Sequence, residues 1–130
     1  MIDRNKAKYY STLTAEEKEV LENGHTEIPF SGSLLTETRE GYYLCKACGN
    51  KIFDSKTKFN SNCGWPSFDN ALKNSVLETV DLSHNMQRIE ITCANCHAHL
   101  GHVFNDGPKE TTGIRYCINS ISLNFKNKKI

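Results

Sequence analysis

At 130 residues, with 16 lysines and arginines against 15 acidic side chains and a formal net charge of +1, the chain has the length of one domain spanning 1–130 and needs no disulfide staples to form a core. So even a balance excludes the polybasic footprint of a nucleic-acid binder, and Lys6, Lys8, Lys126, Lys128 and Lys129, gathered near the two ends, read as solvated termini. With no apolar run of membrane-spanning length and no apolar leader near Met1, the expectation is a cytoplasmic monomer without membrane attachment, whose 6 cysteines serve metal ligation or thiol chemistry.

In chain order, the first clear element is a short helix over Thr14–Asn23. Thr14 and Glu17 have capping-box spacing, Gly24 provides a stop, and Val20 and Leu21 anchor an otherwise polar surface helix. Ile28 to Thr38, with Pro29 and Gly32, reads as an extended loop. Short β segments follow at Gly41–Cys45 and Lys51–Phe53, and then a turn-rich stretch in which Gly64 and Pro66 bracket the only tryptophan, Trp65. Val76–Leu82 predicts a strand, as does Gln87–Thr92, where Ile89 and Ile91 alternate with Arg88 and Glu90. From Gly113 to Phe125 the alternation puts Ile114, Tyr116 and Ile118 on one face and Arg115, Cys117 and Asn119 on the other. The fold class is mainly β and antiparallel, with a helical N-terminal margin.

Two C-x-x-C knuckles, Cys45 with Cys48 and Cys93 with Cys96, carry the metal chemistry. Two-residue spacing lets both thiolates of a pair reach one ion from a tight turn, and Gly49 can take the positive φ such turns use. Four thiolates form a closed tetrahedral site that suits one structural Zn2+ and leaves no position for a substrate. Tetrahedral iron in place of zinc stays open, as does His97 in place of one cysteine. A thioredoxin-like dithiol would need a βαβ context. Cys93 to His97 also matches the C-x-x-C-H haem attachment pattern, which leaves the first pair unexplained. A zinc hydrolase or deaminase would need an open metal position that four thiolates do not provide.

Cys63 and Cys117 remain. A spare cysteine is as often an inert buried hydrophobe as a reactive thiol. Arg115, two residues from Cys117 on the same face, would stabilise a thiolate, and Asn119 would hydrogen-bond whatever that thiolate attacks. Cys63 lies on a turn beside Trp65, so an attacking and a resolving thiol are the chemical reading. His99 and His102 are candidate proton donors, or else ordinary polar or core histidines.

At CGWPSF (Cys63–Phe68), HLGHVF (His99–Phe104) and RYCINS (Arg115–Ser120), together with the two knuckles, the chain resembles the zinc-containing B-type methionine-R-sulfoxide reductases, from about Leu13 to Phe125. The resemblance implies two antiparallel sheets of the Mss4-like β-tent type, with zinc far from the active site. It implies Cys117 as nucleophile and Cys63 as resolving cysteine, and places His99, His102 and Asn119 around the sulfoxide oxygen. Trp65 would receive the substrate methyl, with Phe104 as a further substrate contact and Arg115 beside the nucleophile. Oxidised proteins carrying methionine-R-sulfoxide and thioredoxin as reductant are the implied partners. Asn62 and Asn85 stand where that family often has glycine; Asn tolerates left-handed backbone best after Gly, so the resolving turn is expected to survive. The rival reading is a non-catalytic zinc-knuckle binding module of the same fold, with Trp65 and the histidines as a docking surface.

Overall fold

In the computed structural model, which describes residues 8–128, Thr14 opens helix α1 (Ala15–Leu21) with the reciprocal box its spacing predicts. The Glu17 N–H donates to Thr14 Oγ1 at 3.2 Å and the Thr14 N–H to Glu17 Oε1 at 2.9 Å. The helix ends at Leu21, before the predicted Asn23, and the chain leaves it through Gly24 at φ +77°. Val20 and Leu21 are its buried face. Of the terminal lysines, Lys6 and Lys129 lie outside the described residues, and Lys128 donates to both Asp54 carboxylate oxygens at 3.0 and 3.2 Å.

Among the described residues nine strands form two antiparallel sheets. One has the order β2-β1-β9, from β1 (Gly41–Cys45), β2 (Lys51–Asp54) and β9 (Leu123–Asn127). The other has the order β3-β4-β8-β7-β6-β5, from β3 (Lys58–Phe59), β4 (Ser67–Phe68), β5 (Val76–Asp81), β6 (Arg88–Cys93), β7 (His99–Phe104) and β8 (Arg115–Ile118). The predicted β segments are all present within a residue or two at their ends. Two features differ from the sequence reading. His99–Phe104, read there as a histidine motif, is a central strand. The alternating run from Gly113 to Phe125 is broken by a 3-10 turn at Ser120–Ser122, so that β8 and β9 belong to different sheets.

An aromatic cluster joins the sheets. Phe53 of β2 stacks on Phe68 of β4 with centroids 4.0 Å apart and planes 6° apart. Tyr43 of β1 meets Phe68 edge-on at 5.0 Å, and Tyr116 of β8 meets Phe53 at 5.7 Å. Phe68, Phe53 and Tyr43 are fully buried. Phe68→Ala is therefore expected to cost about 3–5 kcal/mol of unfolding free energy, measured by urea titration of the zinc-loaded protein. A cost below about 1 kcal/mol would mean that this stack is not the contact joining the sheets.

The strand register sets the site. Ser67 (β4) pairs with Cys117 (β8), Cys117 with His102 (β7), and His102 with Glu90 (β6), so the four side chains share one row across one face. In the next row Arg115 pairs with Phe104. Gly101 permits the close approach of β7 and β8: a Cβ there would overlap the Cys117 carbonyl oxygen and crowd the Ile118 Cα.

Candidate active site and metal centre

The two knuckles converge. Sγ atoms of Cys45, Cys48, Cys93 and Cys96 all lie within 4.8 Å of one another, and Cys45, Cys93 and Cys96 are fully buried. The turns are built alike. The Gly49 N–H donates to the Cys45 carbonyl at 2.9 Å and the His97 N–H to the Cys93 carbonyl at 2.8 Å, with both residues at positive φ, +82° and +65°. His97 thus fills the backbone role that Gly49 fills in the other knuckle, and the four-residue cluster does not include it. Asn50 Nδ2 donates to Cys93 Sγ at 3.7 Å, a contact that suits a thiolate. A closed all-sulfur set of this kind fits one zinc ion as a structural centre. Because Cys45 ends β1 and Cys93 ends β6, the ion would tie one sheet to the other.

None of these cysteines lines the second feature, a cavity of about 200 Å³ walled by Cys63, Trp65, Arg88, His102, Phe104, Arg115, Cys117 and Asn119, with Thr26 and Gly101 completing it. Of the residues expected at the nucleophile, proton-donor and substrate positions, all line it except His99. A larger hollow of about 590 Å³ beyond the turn that carries Cys63 contains neither spare thiol. A third hollow of about 530 Å³ has Cys63 and Arg115 in its wall but not Cys117, so of these three the smallest cavity is the one that both spare thiols line.

Cys63 and Cys117 sulfurs are 3.7 Å apart. Cys117 comes from β8 and Cys63 from a turn in which Asn62 sits at φ +61°, the left-handed geometry that glycine or asparagine takes at least cost. Ser67 Oγ lies 3.4 Å from Cys63 Sγ and 2.7 Å from Ser61 Oγ. Burial raises the Cys63 thiol, but Ser61, Ser67, the Trp65 backbone and Cys117 outweigh it and bring the group down to about 7. Cys117 is pushed up to about 12, by burial first and then by Cys63, with Arg115 opposing. The two sulfurs share one titration: the first proton leaves easily and the second is held.

Arg115 does not act on Cys117 as a free charge. Its guanidinium donates to both Asp106 carboxylate oxygens at 2.9 and 3.1 Å and lies over the Phe104 ring at 4.5 Å. Phe104 and Arg115 thereby form one wall of the cavity. Trp65 forms another, fixed by its indole N–H donating to the Glu27 carbonyl at 3.0 Å. The Glu27 N–H donates to Asn119 Oδ1 at 2.9 Å, while Asn119 Nδ2 donates to the Leu100 carbonyl at 3.1 Å and keeps its second N–H.

Each histidine has a carboxylate that sequence reading passed over. His102 Nε2 is 2.7 Å from Asp81 Oδ2, and His99 Nδ1 is 2.7 Å from Glu90 Oε2. Burial lowers the His102 imidazole, and Arg88 and His99 add to this against the pull of Asp81. His102 and Ser83 hold Asp81 well below the usual carboxylate range, so the pair rests as neutral imidazole and carboxylate. The His99 ring packs edge-on against His102 at 5.5 Å, and its Nε2 is buried without a hydrogen-bond partner among the described residues.

A family profile described as "SelR domain" matches residues 13–127. A Pseudomonas putida protein named "Peptide methionine sulfoxide reductase MsrB" is 50% identical over 126 residues, 96% of this chain and 94% of that protein. Proteins of the same name from Chromohalobacter salexigens and Methanosarcina barkeri are each 46% identical, over 95% and 98% of this chain and 94% and 90% of theirs. The solved structure titled "Crystal Structure of Mis18 'Yippee-like' Domain" superposes with a TM-score of 0.55 at 22% identity, covering 68% of this chain and 97% of that one, which is a likeness of fold alone. Among the described residues no helix is long and apolar enough to cross a membrane.

Proposed function

Because this chain belongs to the SelR-domain family of methionine sulfoxide reductases, we infer that it reduces the R epimer of methionine sulfoxide, free or preferentially within oxidised proteins, to methionine. The observation that carries the assignment of roles is the 3.7 Å separation of the two spare thiols on the wall of a cavity that Trp65, His102 and Asn119 also line. Cys117 attacks the sulfoxide sulfur while the oxygen takes a proton from the histidine pair, His102 before His99. The attack forms a bond between the two sulfurs; that bond and the substrate S–O bond then break as the hydroxyl moves to Cys117, methionine leaves, and Cys117 is left as a sulfenic acid. The Cys63 sulfur then attacks the Cys117 sulfur, the S–OH bond breaks, and the hydroxyl leaves with the Cys63 proton as water, giving the Cys63–Cys117 disulfide, which thioredoxin reduces by thiol exchange.

The indole of Trp65 gives the S-methyl an apolar wall, and the imidazole and amide opposite it give the oxygen its donors. Exchanging methyl and oxygen on the chiral sulfur would leave the buried polar groups unpaired, which supports selectivity for one epimer. The zinc cluster takes no part in the steps. We place the protein in the cytoplasm as a monomeric single domain, acting in the repair of oxidised proteins.

Cys63→Ser tests the division of labour. With thioredoxin as reductant and a methionine-R-sulfoxide peptide as substrate, this variant is expected to release one methionine per chain and then stall, measured by rapid quench. Steady cycling at the unsubstituted rate would remove Cys63 from the pathway. A protein-binding module of the same fold would release none.

A further inference from the structure

His102 sits between a thiol and a carboxylate. Across β7 and β8 its register partner is Cys117, and on its far side Nε2 meets Asp81 Oδ2 at 2.7 Å. Asp81 is itself held: Oδ1 accepts from the Ser83 N–H at 2.9 Å, and the Arg88 guanidinium lies 3.5 Å from Oδ2. The Ser83 turn carries His84 and Asn85 both at positive φ, +58° and +56°. A neutral imidazole facing a carboxylate through Nε2 carries its hydrogen on that nitrogen. Nδ1, with no hydrogen-bond partner among the described residues, then has its lone pair free in a ring that lines the cavity.

We propose that Asp81 is a positioning residue for the reaction: it grips His102 by Nε2 so that Nδ1 takes the Cys117 proton and passes it to the sulfoxide oxygen. The proposal rests on the reductase reading above. In the first transfer the Cys117 S–H bond breaks and an Nδ1–H bond forms, leaving a thiolate beside an imidazolium. The thiolate attacks the sulfoxide sulfur, the Nδ1–H bond breaks as an O–H bond forms, and His102 returns to its starting state. The bond between the Cys117 and substrate sulfurs and the substrate S–O bond then both break as the hydroxyl passes to Cys117; two electrons go to the substrate sulfur, methionine leaves, and Cys117 is left as a sulfenic acid.

The transient imidazolium is what Asp81 is needed for. The charged and titratable groups around His102 are Asp81 on β5, Arg88 and Glu90 on β6, His99 on β7, Cys117 and Arg115 on β8, and Cys63 on the resolving turn. Arg88 and His99 both disfavour a proton on the ring, and Asp81 is the anion in direct contact with it. Glu90 is engaged by His99.

Asp81→Asn keeps the shape and an acceptor for Nε2–H and removes the charge. First-turnover reduction of R-sulfoxide should fall about 10²-fold, and its acid limb should move about one pH unit lower. Asp81→Glu should return the limb towards its place. An unchanged rate, or a lower rate with the limb unmoved, would overturn the proposal, the latter indicating structural support alone. The ring nitrogens give a second measurement that needs no variant: ¹⁵N NMR of the unsubstituted protein should find neutral His102 as the Nε2–H tautomer, and the Nδ1–H tautomer would overturn the proposal. Failure of the unsubstituted protein to reduce sulfoxides would defeat the reductase reading, while the tautomer would still decide the part of Asp81.

Discussion

Cys117→Ser is expected to lower sulfoxide reduction by about 10⁴-fold or more, the first turnover included. The reaction needs an atom at this point of the row that first attacks sulfur and then carries the oxygen as a sulfenic acid, and a serine oxygen does neither at neutral pH. Cys63 does not substitute for it. That thiol lies on the other side of the sulfur pair, 3.4 Å from Ser67 Oγ, whereas Cys117 is the register partner of His102. The variant should retain one zinc per chain, since all four clustered cysteines are elsewhere. More than a tenth of the original first-turnover rate, measured by methionine release, would move the nucleophile to another residue.

Removing the metal is the second large effect. Cys45 closes β1 in one sheet and Cys93 closes β6 in the other, with Cys48 and Cys96 on the turns that follow. Four thiolates at these places without an ion would be mutually repelling groups, three of them fully buried. A structural zinc contributes about 10–16 kcal/mol in small metal-dependent folds, as much as the whole stability of about 5–15 kcal/mol that a domain usually has. Cys96→Ser, or exhaustive chelation at neutral pH, should therefore abolish the cooperative unfolding transition at 25 °C, as followed by circular dichroism. Affinity should also fall in acid, because protons compete for the thiolates. An unchanged thermal midpoint in the metal-free protein would contradict the staple role.

The sequence made parts of this architecture legible for physical reasons. Gln87–Thr92 alternates because one face is half exposed, and the strand it predicts is present at Arg88–Cys93. His99–Phe104 carries no such alternation, since its first four residues are buried on both faces in the middle of the larger sheet, and so no strand was read there. The break at Ser120–Ser122 was hidden for a related cause. Ser120 and Ser122 look like solvent-facing positions, yet both are buried, with Ser120 Oγ accepting from the Leu34 N–H at 2.8 Å and Ser122 Oγ donating to the His99 carbonyl at 3.1 Å. Spacing alone assembled the cysteine cluster. The proximity of Cys63 and Cys117 came from family resemblance, because no periodicity brings a turn to a strand so distant in sequence.

Asp81 and Glu90 were missed outright. A carboxylate on a strand reads as a solvated side chain until the fold brings it to an imidazole, at 2.7 Å in both cases. Two of the asparagines at positive φ, Asn62 and Asn85, had a signal: both stand where glycine is common in the family, and both take the left-handed backbone that explains the exchange.

The most direct measurement of the central claim is a single-turnover assay of the zinc-loaded protein, fully reduced, against the separated R and S epimers of a methionine sulfoxide peptide. Release of methionine from the R epimer alone, with one Cys63–Cys117 disulfide formed for each methionine, is the predicted result. Equal release from both epimers, or none from either, would contradict it.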